Sequence, residues 1–131
     1  MLSMKTVLLV FLGAGLGAVL RFALAAWVST KNSSSFPLGT LLVNITGSLV
    51  IGIVMAAILA KNPNSDLKYF LVTGLLGGYT TFSAFAYETI TLFEKQQPMS
   101  AISYIIASNI GCLGSCWLSM LVTKSVINSS S

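Results

Sequence analysis

The sequence predicts an all-α integral membrane protein with four transmembrane helices in each subunit. Hydrophobic residues make up 55% of the 131 residues and charged residues only 8%, whereas soluble domains carry about 25% charged residues. Four long apolar runs alternate with short polar joints. Because one crossing needs about 20 apolar residues, a chain of this length forms about four crossings. We therefore expect one four-helix transmembrane domain over residues 1–131.

Each predicted span is close to the thickness of a bilayer and is bounded by polar or turn-forming residues. The first run is too long for the apolar part of a cleaved signal peptide and Arg21 interrupts it, so we do not expect cleavage. Pro37 precedes the second run and Pro98 precedes the fourth. The predicted spans are about 6–29, 38–60, 67–93 and 99–122.

Composition excludes several classes of function. The chain has no His and only three Asp or Glu residues, so it lacks an imidazole base and a paired acid/base site, and we do not expect an enzyme. Its net charge of +4 comes from basic residues scattered singly, which argues against nucleic-acid binding and fits a protein whose partner is the lipid bilayer. Cys112 and Cys116 are interpreted as small apolar residues rather than a redox pair.

Loop charges leave the orientation open. Positive residues normally mark the cytoplasmic side, but the bias here is weak, with four lysines on one side against two, or three when Arg21 is counted. Charge alone leaves two alternatives equal: an ordinary orientation, or insertion both ways with antiparallel self-pairing. The first side carries Lys5, Lys61, Lys68 and Lys124, and the second Lys31 and Lys95.

The second span carries a polar stripe. Thr40, Asn44 and Ser48 recur every four residues and share one helix face. Polar groups are costly in hydrocarbon and need a partner or a function. The stripe therefore predicts either bonds to a neighbouring helix or the wall of a wet path, and spacing alone does not decide between them.

The third span has an unusual centre. Two adjacent glycines, Gly77 and Gly78, are followed by Thr80 and Thr81, and this composition is poor for a helix. One interpretation is a packing face in which Gly74 and Gly78 form a GxxxG contact. The other is a broken helix whose freed carbonyls hold a cation and whose amides face an anion. Spacing alone favours packing.

Ring and hydroxyl side chains follow this centre. Phe82 and Phe85 share a face, and their electropositive ring edges suit contact with a small anion, with the Ser83 hydroxyl nearby. In the fourth span Tyr104 and Ser108 lie on nearly one face. This face predicts close helix packing or hydroxyls beside an ion path.

The order of these motifs resembles the fluoride-specific ion channels, the Fluc (CrcB) family, over all four spans. The third-span motif is highly specific, and a Gly-Thr-x-x-x-Asn motif accompanies it. The matching stretches are Gly17-Ala18-Val19-Leu20-Arg21-Phe22, Gly39-Thr40-Leu41-Leu42-Val43-Asn44 and Gly77-Gly78-Tyr79-Thr80-Thr81-Phe82-Ser83-Ala84-Phe85 with Glu88.

The resemblance implies an antiparallel, dual-topology homodimer in which the third helix is broken near its centre. Two pathways, each built from both subunits, would export fluoride passively from the cytoplasm across a bacterial inner membrane. A structural Na⁺ would lie at the dimer centre, held by main-chain carbonyls that correspond to Gly77 and Thr80.

The resemblance also implies site residues for the pathway. Departures from the family pattern are Ala84 and Cys112, where hydroxyls are expected, and the bulky Tyr79 beside the break. The alternatives are a proton-coupled transporter similar to small multidrug-resistance proteins, which needs a mid-membrane carboxylate, and a non-transporting membrane scaffold. The implied pathway residues are Asn44, Phe82 and Phe85, with Ser83 and Thr40 as polar wall positions, Tyr104 and Ser108 facing the path, and Arg21 in the vestibule.

Overall fold

The chain folds into helices joined by short turns. The computed structural model describes residues 3–61 and 66–129, with side chains left out for 59–61, and those ranges contain no β-strand. The helix α3 covers residues 66–79 and includes a wider, π-helical stretch at Tyr69–Leu76. The other helices are α1 (Met4–Lys31), α2 (Leu38–Lys61), α4 (Phe82–Glu94) and α5 (Pro98–Ser129).

Local signals in the sequence account for the helix ends. The Ser3 side chain caps α1 by accepting a hydrogen bond from the Thr6 amide. Lys31 lies in the last turn of α1, where a cation is favourable. Pro98 opens α5, a position where its missing N–H costs nothing. Gln96, at φ 57°, makes the turn between α4 and α5.

Three of these helices are long and apolar enough to cross a membrane: α1, residues 38–58 of α2, and α5. Their surfaces are rich in exposed large hydrophobic side chains, such as Phe11 and Leu113. A soluble protein rarely exposes so much apolar surface in one patch, whereas a bilayer favours it. The chain is therefore a multi-pass membrane protein.

Glycines set the distance between α1 and α3. A Cβ atom at Gly78 would lie 2.8 Å from Ala14 Cα, and one at Gly13 would lie 2.8 Å from the Leu75 nitrogen. These neighbours are backbone atoms, which yield less easily than a side chain. The small-residue packing predicted for Gly74 and Gly78 is present, since Gly74 also faces the backbone of α1.

The second pair of long helices, α2 and α5, packs in a similar way. The Ser115 hydroxyl donates to the Ile45 carbonyl across the pair at 3.3 Å. Gly52 faces the Cys116 carbonyl closely enough that any side chain would clash. Polar contacts also join segments near the helix ends. Lys5 at the start of α1 pairs with Asp66 at the start of α3, and Ser35 before α2 bonds to Gln97 before α5. The described helices thus include two closely packed pairs, α1 with α3 and α2 with α5, and α4 packs against α5.

We predict that Gly78→Ala lowers the stability of the protein, because the new methyl group meets the α1 backbone. Overpacking of this kind costs about 1–3 kcal/mol. Thermal unfolding in detergent measures the effect. Gly15→Ala is the matched control, since nothing lies within 4 Å of a Cβ at that position. Equal melting temperatures for the two variants would contradict close α1–α3 packing.

Candidate functional site

The centre of the site is a break between α3 and α4. Thr80 (φ −80°, ψ 157°) and Thr81 (φ −151°, ψ 114°) are extended, whereas Gly77 keeps helical angles of −64° and −36°. The chain therefore breaks at the two β-branched threonines, which tolerate extended backbone well, and not at the glycine pair. The sequence left glycine packing and a helix break as alternatives. Both are present: Gly74 and Gly78 pack against α1, and the helix breaks at Thr80 and Thr81.

The side chain of Asn44 pairs with the exposed backbone at this break. Its Nδ2 atom donates to the Thr81 carbonyl at 3.0 Å, and its Oδ1 atom accepts from the Thr81 amide at 2.8 Å. Both backbone groups of Thr81 are thus satisfied without a helix, as a hydrocarbon environment requires. Asn44 makes the interhelical bond that the stripe on α2 allowed.

The same geometry leaves carbonyl groups at the break without their helical donors. In a continuous helix the amide of residue i donates to the carbonyl of residue i−4. Here the Thr81 amide donates to Asn44 instead of Gly77, and the Ala84 amide donates to Thr81 Oγ1 at 3.2 Å instead of Thr80. The carbonyls of Gly77 and Thr80 have lost their usual helical donors. Carbonyl oxygens of this kind are ligands for hard cations.

An open cavity of about 350 Å³ adjoins the break. Among the residues that the structure describes, no Lys, Arg, Asp or Glu lines it. Its polar lining consists of amides, hydroxyls, a thiol and main-chain groups, and the remainder is apolar. The residues predicted from the sequence that line it are Asn44, Gly77, Thr80, Phe82, Phe85 and Ser108.

A row of aromatic rings leads away from this cavity. The ring centres of Phe82 and Phe85 are 5.4 Å apart, and those of Phe85 and Tyr104 are 5.2 Å apart. Phe36 continues the row with an edge-on contact to Tyr104. Phe82 is 79% exposed, while Tyr104 is fully buried. The predicted Phe pair therefore lies between the open end of the cavity and the buried core.

Thr40 and Tyr104 do not line the cavity but meet at Glu88. The Thr40 hydroxyl donates to Glu88 Oε1 and the Tyr104 hydroxyl donates to Oε2, each at 2.7 Å. From the sequence alone, the role of Glu88 stayed open. A carboxylate inside an apolar span needs hydrogen-bond donors around it. This requirement was the one feature of the sequence that could have predicted the contacts of Glu88 with Thr40 and Tyr104. Glu88 also borders a second cavity of about 130 Å³ with Ser29 and Asn32.

The remaining predicted residues lie apart. Ser83 is exposed, and its Oγ atom is 3.2 Å from Thr81 Oγ1. Arg21 is half-buried on α1 and lines neither cavity. Ser108 is 6% exposed, and its hydroxyl oxygen has no hydrogen-bond partner among the described residues. Within the described ranges no group of three or more His, Cys, Asp or Glu side chains is placed to hold a metal.

A family model and several known proteins are similar to this chain over most of its length. The family model described as "CrcB-like protein, Camphor Resistance (CrcB)" matches residues 8–120. A protein of Rhizobium meliloti (strain 1021), named fluoride-specific ion channel FluC, is 46% identical over 106 residues, which are 80% of this chain and 85% of that protein.

Two further relatives carry the same name. The Flavobacterium psychrophilum protein is 40% identical over 92% of this chain and 98% of its own length. The Anaeromyxobacter dehalogenans protein is 39% identical over 92% of this chain and 97% of its own length. Similarity of this extent covers the break, both helix pairs and the cavity. The chain belongs to the CrcB family, which is a family of ion channels and not of enzymes.

Proposed function

We propose that this chain is the subunit of a fluoride-selective channel. The observation that carries the proposal is the cavity beside the helix break, which combines hydrogen-bond donors with ring edges and, within the described ranges, is lined by no charged side chain. The name of the relatives, fluoride-specific ion channel FluC, supports fluoride as the anion. The chemistry of the cavity suits that anion.

Fluoride is small and holds its hydration shell strongly, so a pathway must replace several hydrogen bonds at once. The Asn44 amide has two N–H donors, of which one is used by the Thr81 carbonyl. The Ser108 hydroxyl faces the same cavity and has no partner among the described residues. The ring edges of Phe82 and Phe85 add weak positive potential. Partners without full charge bind the ion and still release it.

The lining of the larger cavity also supports passive movement of fluoride, without coupling to protons. A proton-coupled transporter needs a carboxylate that exchanges protons with the transported ion. The carboxylate of Glu88 lies outside the larger cavity and accepts hydrogen bonds from Thr40 and Tyr104. We therefore propose a channel that lets fluoride leave the cytoplasm down its gradient.

A homodimer completes the site in this proposal. Gly77, which lines the open cavity, is exposed, and so is Ser83. Such polar groups are unfavourable against lipid. A second copy covers them most simply through a two-fold interface. The weak lysine bias permits insertion in both directions, so we propose an antiparallel dimer with four spans per subunit and two pathways. Because the relatives are bacterial, we place it in a bacterial inner membrane.

Sodium fits the two carbonyls at the break. The Gly77 and Thr80 carbonyls have lost their helical donors, and neutral oxygen ligands suit a hard monovalent cation. When bound, Na⁺ would neutralise the partial negative charge of these carbonyls. Its proposed role is structural, because the residues hold it with main-chain atoms at the place where two copies would meet.

The proposal predicts selective fluoride flux. Purified protein in proteoliposomes should release fluoride much faster than chloride, because the cavity donors replace the shell of the smaller ion. Ion-selective electrodes measure both rates under the same gradient. Equal rates for the two ions would refute selectivity, and absence of both would refute the channel and favour a scaffold.

The Phe pair provides a second test. Phe82→Ile and Phe85→Ile remove the ring edges while keeping apolar bulk, and we expect fluoride efflux to slow by about tenfold, equivalent to about 1.4 kcal/mol in the barrier. Dimer assembly on size exclusion should persist. Phe11→Ile is a matched control, since Phe11 is exposed to a similar extent (73% against 79% for Phe82) and lines neither cavity. Unchanged flux in both cavity variants would argue against ring-edge contact.

The sodium proposal predicts an ion-specific stability. Replacing Na⁺ by N-methyl-D-glucamine at constant ionic strength should lower the melting temperature of the dimer, because the Gly77 and Thr80 carbonyls would lose their cation. Restoring Na⁺ should reverse the change by mass action. A melting profile that is identical in both salts would count against a bound cation.

A further inference from the structure

Cys112 brings a reactive side chain into the cavity. It is a free, half-buried cysteine on α5, and it lines the cavity of about 350 Å³. Cys116 is also free and half-buried, but it does not line that cavity. The two thiols lie one helical turn apart, but only Cys112 lines the cavity. Cys116 is therefore a control for the effects of modifying Cys112.

A second observation indicates that the cavity admits polar molecules. Ser108, one turn before Cys112, is 6% exposed and lines the same cavity, and its hydroxyl has no partner among the described residues. Buried hydroxyl groups nearly always have a hydrogen-bond partner. The cavity is the available source of that partner, in the form of water or an ion. Access for water or ions also allows a small polar reagent to reach Cys112, which lines the same cavity.

We propose that Cys112 is a thiol-modification site and that its modification closes the pathway. The ligand class is a small thiol-directed electrophile, such as an aliphatic disulfide or a thiosulfonate. The modification itself rests on the cavity and the thiol, whereas the closure rests on the proposed channel function. Asn44, Phe82 and Phe85 line the same cavity, so an adduct on Cys112 occupies the space beside them.

The reaction is a thiol exchange. Cys112 loses its proton to water, and the thiolate attacks the sulfenyl sulfur of the reagent. A new S–S bond forms at Cys112 as the S–S bond of the reagent breaks. With a methanethiosulfonate the leaving group is methanesulfinate, and with a disulfide it is a thiolate. Dithiothreitol reverses the change by reducing the mixed disulfide.

Fluoride efflux from proteoliposomes tests the proposal, with methyl and benzyl methanethiosulfonate as the reagents. We expect the benzyl adduct to reduce efflux by about fivefold or more, and the methyl adduct to reduce it less, because block of a narrow pathway grows with the bulk placed in it. Each rate is expressed relative to the untreated rate of the same variant. Mass spectrometry should find the adduct on Cys112, and dithiothreitol should restore efflux.

The two cysteines supply the controls. Cys116→Ser should conduct and be blocked like the wild type, whereas Cys112→Ser and Cys112→Ala should be insensitive to both reagents. A block that persists in the Cys112 variants, a label on Cys116 alone, or full efflux through protein labelled at Cys112 would overturn the proposal. Absence of fluoride efflux before treatment would refute the channel and with it the closure, while the position of the label would still test the modification site.

Discussion

The two hydrogen bonds between the Asn44 side chain and the Thr81 backbone are the interaction on which the rest of the site depends. A peptide group left without partners in hydrocarbon costs several kcal/mol. An amide side chain is well matched to it, because it offers one donor and one acceptor side by side. With these bonds in place a transmembrane segment can interrupt its helix at Thr81 without leaving the amide and carbonyl of that residue unpaired.

Several features follow from this one pairing. The Gly77 carbonyl loses its helical donor because the Thr81 amide turns toward α2, and Thr81 Oγ1 becomes the cap of α4. The new helix begins at Phe82, so its first turn carries both rings of the Phe pair. Close contact of Gly78 with α1 holds the preceding helix on one side. The opposite side of the break then remains open as the cavity.

Sequence alone could predict the long apolar helices and mark residues 77–81 as a poor helix centre, because both depend on local composition. The break itself was implied by the family resemblance, since spacing favoured packing. Apolar runs of bilayer length, the stripe from Thr40 to Ser48 and the small-residue faces all repeat within one or two turns. The sequence could not show whether the helix breaks at Gly77–Gly78 or at Thr80–Thr81. The position of the break depends on the Asn44 side chain of another helix, which bonds to the Thr81 backbone. Nor could the sequence join Glu88 to Thr40, which is 48 residues away in the chain. Such pairings depend on how the helices cross, which no local pattern encodes.

The use of hydroxyl hydrogens by Glu88 changes where an anion would find donors in the proposed channel. A hydroxyl has one hydrogen to donate, and those of Thr40 and Tyr104 are directed at the carboxylate. They are therefore not free to replace water around fluoride. Uncommitted donors of residues that line the larger cavity include the second N–H of Asn44 and the Ser108 hydroxyl, which has no partner among the described residues. Anion contact in the proposed channel thus falls beside the helix break and the Phe pair, in a cavity that the Glu88 carboxylate does not line.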